Sequence, residues 1–316
     1  MSRFFFLVIG CLLAEQALAA ALPAVSKSPS LNGCRIFPGN NVWNTPIDHL
    51  PVHPLSDRYI DTIGRSRGLH MDFGSGKWDG GPIGIPFNVV GGDASKVIFS
   101  FKYASESDRK PYPMPAKPKI EYSSDHHLLT LDKDRCLLYE TWATERKADG
   151  SWKAGSGAIF DLSKNLLRPA GWTSADAAGL PILPGLVRFA EIKAGAIKHA
   201  IRFTAHATRG YVWPARHETS SPDDPSRPPF GMRFRLKSDF TIGGYPPEMR
   251  VILRAMQNYG LILADNGSDW YVSGVPDPRW DNDMLHLLDD VVGEDFEAVD
   301  SSGLMIDPDS AAARQP

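Results

Sequence analysis

The sequence predicts a mainly β protein, an antiparallel β-sandwich or jelly-roll-like single domain with a few peripheral helices. Three observations carry that expectation. Short runs alternate apolar and polar residues, most cleanly where Met232, Phe234 and Leu236 interleave with Arg233, Arg235 and Lys237, and a period of two is that of a half-buried strand. The 26 prolines and 28 glycines are spread along the chain, so they make many loops and mark no linker between domains. Strand-like and helix-like segments do not alternate in a βαβ rhythm, which favours antiparallel layers.

In chain order, residues 36–54 carry Asn40, Asn41, Trp43 and several prolines and read as an irregular lead-in lying over the body. A helix is expected over 56–63, stopped by Gly64. The glycines between Gly74 and Gly84 require a loop, and 97–103 alternates as a strand with Val97, Phe99, Phe101 and Tyr103 on one face. Residues 127–132 and 136–142 flank Lys133, Asp134 and Arg135, the spacing of a hairpin. Further strands are expected over 158–162, 199–205 and 232–237. The clearest helix runs from Pro246 or Pro247 to Tyr259, with proline at its start and Gly260 as its stop. Asn266-Gly267 between apolar runs signals a hairpin turn, because both residues tolerate positive φ. A short helix over 283–291 closes the body, and residues 301–316, with little to bury, are expected to form a flexible tail.

The beginning of the chain reads as a signal peptide over residues 1–20: Arg3, an apolar run from Phe4 to Ala14, and an Ala-x-Ala exit. A bilayer span needs roughly 20 apolar residues, more than this run holds, so no membrane span is expected. Cleavage leaves a lead-in over 21–35 and one globular domain over 36–300. The expected location is secreted or periplasmic, with lipid attachment at Cys11 as the lesser alternative. Cys34 and Cys136 then remain as an even pair, and an oxidising compartment favours a disulfide between them. Such a bond closes a loop of about a hundred residues and contributes up to ~4 to 5 kcal/mol in the chain-entropy model. The formal net charge of -3 excludes nucleic-acid binding driven by overall charge. Composition carries no information about oligomeric state.

Candidate catalytic residues come first from Asp161, at a strand end, and from Asp176, which follows Trp172 in a turn-like stretch. Two carboxyls flanking a glycosidic bond, with an aromatic platform nearby, are what glycan cleavage needs. The plainer reading is that Ser174 or Asp176 caps a helical turn. A second group is Arg202, Tyr211, Trp213, Arg216 and His217. Guanidinium groups pair with carboxylates and aromatic faces stack on sugar rings, so Arg202, Trp213 and Arg216 are candidate substrate-binding residues and His217 a candidate base. Lyase chemistry on uronic-acid polymers would use Arg202 as neutraliser, His217 as base and Tyr211 as acid. A third group, Asp265, Asp269, Trp270, Asp277 and Asp281 around the Asn266-Gly267 turn, could hold substrate through Asp265 and Trp270; it lacks the spacing of a calcium loop, and Asp281 or Asn282 equally well caps the following helix. Asn266-Gly267-Ser268 is also a glycosylation sequon.

Other chemistries find little support. His126-His127 and His70 suggest metal ligands, but adjacent strand residues face opposite ways and spacing places no third ligand, so no metal and no cofactor is expected. There is no nucleophile-elbow serine, and the glycine-rich stretch from Gly74 opens no helix that would cradle phosphate.

Residues 36–54, 171–188 and 261–283 resemble a family of uncharacterised secreted bacterial proteins across nearly the whole mature chain, and that resemblance implies no activity. From compartment and residue types, the expectation is a secreted carbohydrate-active protein, a polysaccharide-degrading hydrolase or lyase, whose partner is a polysaccharide or another extracellular ligand. The alternative is a non-catalytic carbohydrate-binding or cell-envelope-associated protein.

Overall fold

The computed structural model describes residues 1, 28–219 and 221–315. The expected leader beyond Met1, with Cys11 inside it, lies outside the described residues. The principal strands are β1 (His70–Asp72), β2 (Phe87–Val90), β3 (Phe99–Phe101), β4 (Leu128–Asp132), β5 (Leu137–Trp142), β6 (Glu145–Arg146), β7 (Trp152–Ala154), β8 (Ser156–Asp161), β9 (Ile201–Ala205), β10 (Arg233–Leu236), β11 (Leu261–Asn266), β12 (Tyr271–Ser273) and β13 (Phe296–Val299). The helices are α1 (Ser56–Ile63), α2 (Phe189–Ala194), α3 (Pro247–Asn258) and α4 (Asn282–His286).

Two mixed sheets make a sandwich-like body, and no sheet among the described residues closes into a barrel. A four-stranded sheet runs β8-β5-β4-β2, and a six-stranded sheet runs β13-β10-β11-β9-β12-β1. One hydrophobic core runs through both sheets: Leu129, Leu131, Leu138 and Phe160 of the first belong to it, and so do Ile201, Phe203, Phe234 and Leu263 on the face of the second that is opposite Arg202. On its other face the four-stranded sheet covers a smaller cluster of Phe99, Tyr112, Leu128 and Tyr139, roofed by the β6-β7-β3 sheet.

The mainly β expectation holds, as do α1, the β4-β5 hairpin with Asp132 opposite Leu137, and α3, which ends before Gly260 at φ 67°. Proline pre-sets the start of α3, and Gly260 takes the left-handed turn that ends it. Cys34 and Cys136 form the disulfide, which ties the lead-in to the turn of the β4-β5 hairpin.

Four expectations change. Pairing is less uniformly antiparallel than the patterning suggests, since β2-β4, β3-β7, β9-β11 and β1-β12 are parallel. The strand expected over 97–103 breaks at Ile98, which is exposed between Lys96–Val97 and β3. The runs on either side of Asn266-Gly267 do not pair with each other; β9 lies between β11 and β12 and pairs with both. Turn chemistry identifies a reversal and is blind to a third strand taking its inner edge. The expected loose tail is packed: Leu304, Ala311 and Ala313 are buried, the Val42 and Ala313 amides bond to Ala311 O and Asn40 O, and Trp213 Nε1 donates to Ser310 O at 2.8 Å.

Candidate functional site

The site lies between the two sheets, where the loop of residues 171–185 passes through the layer. A loop buried there must satisfy its backbone groups internally. Glu140, on β5, does part of this: its carboxyl accepts from the Ile182 and Leu183 amides at 2.9 to 3.1 Å. Gly185 lets the loop pass closely, because a Cβ there would come within 2.7 to 2.9 Å of the Trp43 ring and of Arg202 Cβ.

At the centre stands Arg202, nearly sealed from solvent. Its Nε donates to both oxygens of fully buried Asp176 at 2.8 and 3.0 Å, and its Nη2 donates to Asp176 Oδ1 at 2.5 Å and to Asp265 Oδ2 at 3.2 Å. Nη1 donates to Ser273 Oγ at 2.5 Å. Asp265 reaches this place through a β-bulge. The β9-β11 register pairs Phe203 with Leu263 and Thr204 with Asp265, skipping Ala264. Directly opposed residues share a sheet face, so the bulge turns Asp265 onto the face of Arg202 and Thr204; without it Ala264 would sit there.

The charges are unequal in state. Burial pushes the Asp265 carboxyl well above the usual carboxylate range, and the neighbouring Asp176 carboxylate pushes in the same direction, with Arg202 opposing only in part. Asp265 is therefore the member of the carboxyl pair whose charge is disfavoured, although its oxygens accept from the Ala177 and Asn266 amides and from Arg202, while Asp176 takes the closer guanidinium bonds. His127 closes the cluster from the other sheet: Nδ1 bonds Glu121 Oε2 at 2.5 Å and Nε2 bonds Ala175 O at 3.2 Å. Burial disfavours its charge, but the Glu121 carboxylate outweighs burial and raises His127 to about 9. Burial likewise lifts Glu140 to about 7.

His127, Asp176 and Asp265 each offer a ligand atom within 4.8 Å of the others. Their chemistry does not suit a metal ion, since both His127 nitrogens are engaged as donors and the Arg202 cation already occupies Asp176.

Above this cluster opens a cleft of about 530 Å³, with Asp176 and Asp265 in its floor and Tyr103, Glu106, Asp125, Trp142, His217 and Glu218 among its walls. The rings of Tyr103 and Trp142 stack with centroids 6.3 Å apart, and Trp142 Nε1 donates to Asp125 Oδ1 at 3.1 Å. His217 Nδ1 donates to Ala177 O at 2.7 Å, which turns Nε2 toward Glu106 Oε2 at 3.5 Å. Among the described residues the lining holds five carboxyls, one histidine, and no lysine or arginine.

Of the residues singled out in the sequence, the proposed site residues Asp176, Arg202, His217 and Asp265 come together here, with His127 beside them. The others lie elsewhere. Asp161 ends β8 and binds Ser163 and Lys164 of its own turn. Trp172 stands under the Arg168 guanidinium, 5.5 Å from its ring, outside the lining. Trp213 points at the C-terminal segment, and Arg216 is consumed by Arg168 O, Pro308 O and Asp309. Trp270 is wholly buried, stacked on Phe203 and Phe296 at 5.5 and 5.2 Å, so it touches no ligand. Arg202 itself faces carboxylates of the protein and has no free edge for a uronate.

Sequence reasoning missed Tyr103, Glu106, Asp125, Glu140 and Trp142. Glu140 left a signal, a carboxyl in step with Leu138 on the core face of an apolar strand. The loop residues Glu106 and Asp125 left none.

The chain matches no protein-family model, no curated protein and no solved structure.

Proposed function

We propose that the protein is an exported glycan hydrolase acting on neutral sugar chains, with Asp265 as general acid and Glu106 as the second carboxylate. The observation that carries this reading is a carboxyl, Asp265, set beside a second carboxyl in the floor of an open cleft whose walls bear further carboxyls and stacked aromatic rings, where burial and the Asp176 charge push its pKa up. Glycosidic cleavage needs one carboxyl that keeps its proton at working pH and another that is ionised. Asp265 donates to the glycosidic oxygen, and the burial and Asp176 charge that keep it protonated make it a competent acid. Glu106 stabilises or attacks the sugar carbon, or activates a water there, held by His217 and the Thr173 amide. Tyr103 and Trp142 offer faces for sugar rings.

Hydrolysis is favoured over elimination because, among the described residues, the cleft lining holds no lysine or arginine to neutralise a uronate, Arg202 and Arg216 both being committed to internal partners. The disulfide supports folding in an oxidising compartment. No helix among the described residues is long and apolar enough to cross a membrane.

The test is incubation of the purified protein with a panel of neutral and acidic polysaccharides, reading new reducing ends and unsaturated products separately. New reducing ends from neutral glycans are expected, falling on the order of 10²- to 10⁴-fold in Asp265→Asn and Glu106→Gln. Unsaturated products, or activity untouched by both substitutions, would overturn the assignment. Binding without cleavage by the native protein would identify a glycan-binding protein instead.

A further inference from the structure

A second cleft of about 490 Å³ opens beside the first, lined by His70, Asp72, Lys77, Trp78, Tyr271 and His286 among others. Sheet register fixes how the two are related. Ser273 lies opposite Asp72 and Tyr271 opposite His70, while Thr204 lies opposite Tyr271. Opposed residues share a face and neighbouring strands are about 4.8 Å apart. Arg202, Ser273 and Asp72 therefore form one row across β9, β12 and β1, and Thr204, Tyr271 and His70 the next, all on the face that carries the Asp176-Asp265 pair. The row runs to the sheet edge beneath the surface, since Arg202 and Ser273 are buried, and it places the two clefts on the same face of the sheet.

The second cleft has the groups that a sugar chain needs. Trp78, at the tip of the Lys77–Trp78 strand, is 78% exposed, an uncovered aromatic face. His70 and Tyr271 stack with centroids 4.2 Å apart. Solvent reaches Asp72, yet surrounding protein disfavours its charge, and it senses Glu121, Asp125 and Arg202 of the first site through space. Asp72 lines the second cleft. Between the clefts runs the 121–126 segment. It puts Tyr122 against Gly80 and Gly81 on the Trp78 side and Asp125 against Trp142 on the other.

We propose that a glycan chain bound in the first cleft passes over the exposed 121–126 segment and that the second cleft is an outer subsite for further units of a polymeric neutral glycan, with Trp78 as stacking platform and Asp72 accepting from sugar hydroxyls. The enzyme then cuts within chains. This rests on the hydrolase reading above.

The test compares native protein, Trp78→Ala and Asp72→Asn on neutral oligosaccharides of two to eight units drawn from whichever polysaccharide the native protein cleaves. Trp78→Ala is expected to raise KM about tenfold for the long substrates, the scale of one aromatic contact, and to leave KM and kcat for the shortest cleaved substrate unchanged. Asp265→Asn, by contrast, lowers kcat at every length. Equal effects of Trp78→Ala at all lengths, or none at any, would overturn the outer subsite while leaving the hydrolase intact. Absence of cleavage of every neutral glycan by the native protein would overturn both.

Discussion

At the scale of single residues, the site depends on three groups of unequal charge held in one low-dielectric place. Arg202 is the only cation bonded to Asp176 among the described residues, whereas burial and the Asp176 charge disfavour the charge of Asp265. Replacing them therefore has opposite consequences for stability. Arg202→Met leaves the Asp176 carboxylate buried without a partner, and removing one side of a buried ion pair costs about 3 to 5 kcal/mol. Asp265→Asn replaces a protonated acid with a neutral amide of the same shape and should change stability by less than about 1 kcal/mol. Urea unfolding of the two variants measures this; equal losses would mean that Asp265 is ionised in the native protein. The sequence displayed Asp176, Arg202, His217 and Asp265 as polar residues near strand ends and aromatics. It could not display that they converge, because Asp265 faces Arg202 only by virtue of the bulge at Ala264, and a bulge leaves no mark in an alternating pattern.

At the scale of elements, the parts governed by local chemistry were legible. The period of two in β10, the proline start and glycine stop of α3, and the short turn between β4 and β5 each specify their element from neighbours a few residues away. The order of strands within the sheets, the parallel pairs and the insertion of β9 between β11 and β12 depend on contacts far apart in sequence, and no spacing encodes them. The C-terminal segment shows the same limit. Its small residues bury themselves by filling a groove against Asn40 to Val42, and it supplies the partners of Trp213 and Arg216. Deleting residues 304–316 should lower the melting temperature by several degrees, since about 1 kcal/mol corresponds to roughly 2 to 4 °C in a domain of this size. An unchanged melting temperature would return the segment to the status of a loose tail.

For the whole molecule, the shifted groups define a pH profile of stability. Burial opposes the charges of Glu121 and Glu191, but His127 in the one case, and Arg188 with His199 in the other, hold them below the usual carboxylate range, Glu191 at about 2. Their contribution is complete above the unfolded value and is lost as pH falls through the folded one. Glu140, raised to about 7, and Asp265 keep protons that the unfolded chain has released, so stability declines as pH rises from the carboxylate range toward 7. His127, raised to about 9 from 6.5, is stabilising below 6.5, and that contribution disappears as pH climbs through about 9. The melting temperature should therefore peak near pH 5, at roughly the crossing of these arms, and fall steadily toward pH 9; a flat or rising curve between pH 5 and 9 would contradict the assigned protonation states. The same states underlie the proposed chemistry, and one of them can be observed alone. A carbon-13 NMR titration of the Asp265 carboxyl in the native protein should show it still protonated well above the usual carboxylate range, and ionisation near pH 4 would remove the acid from the floor of the cleft.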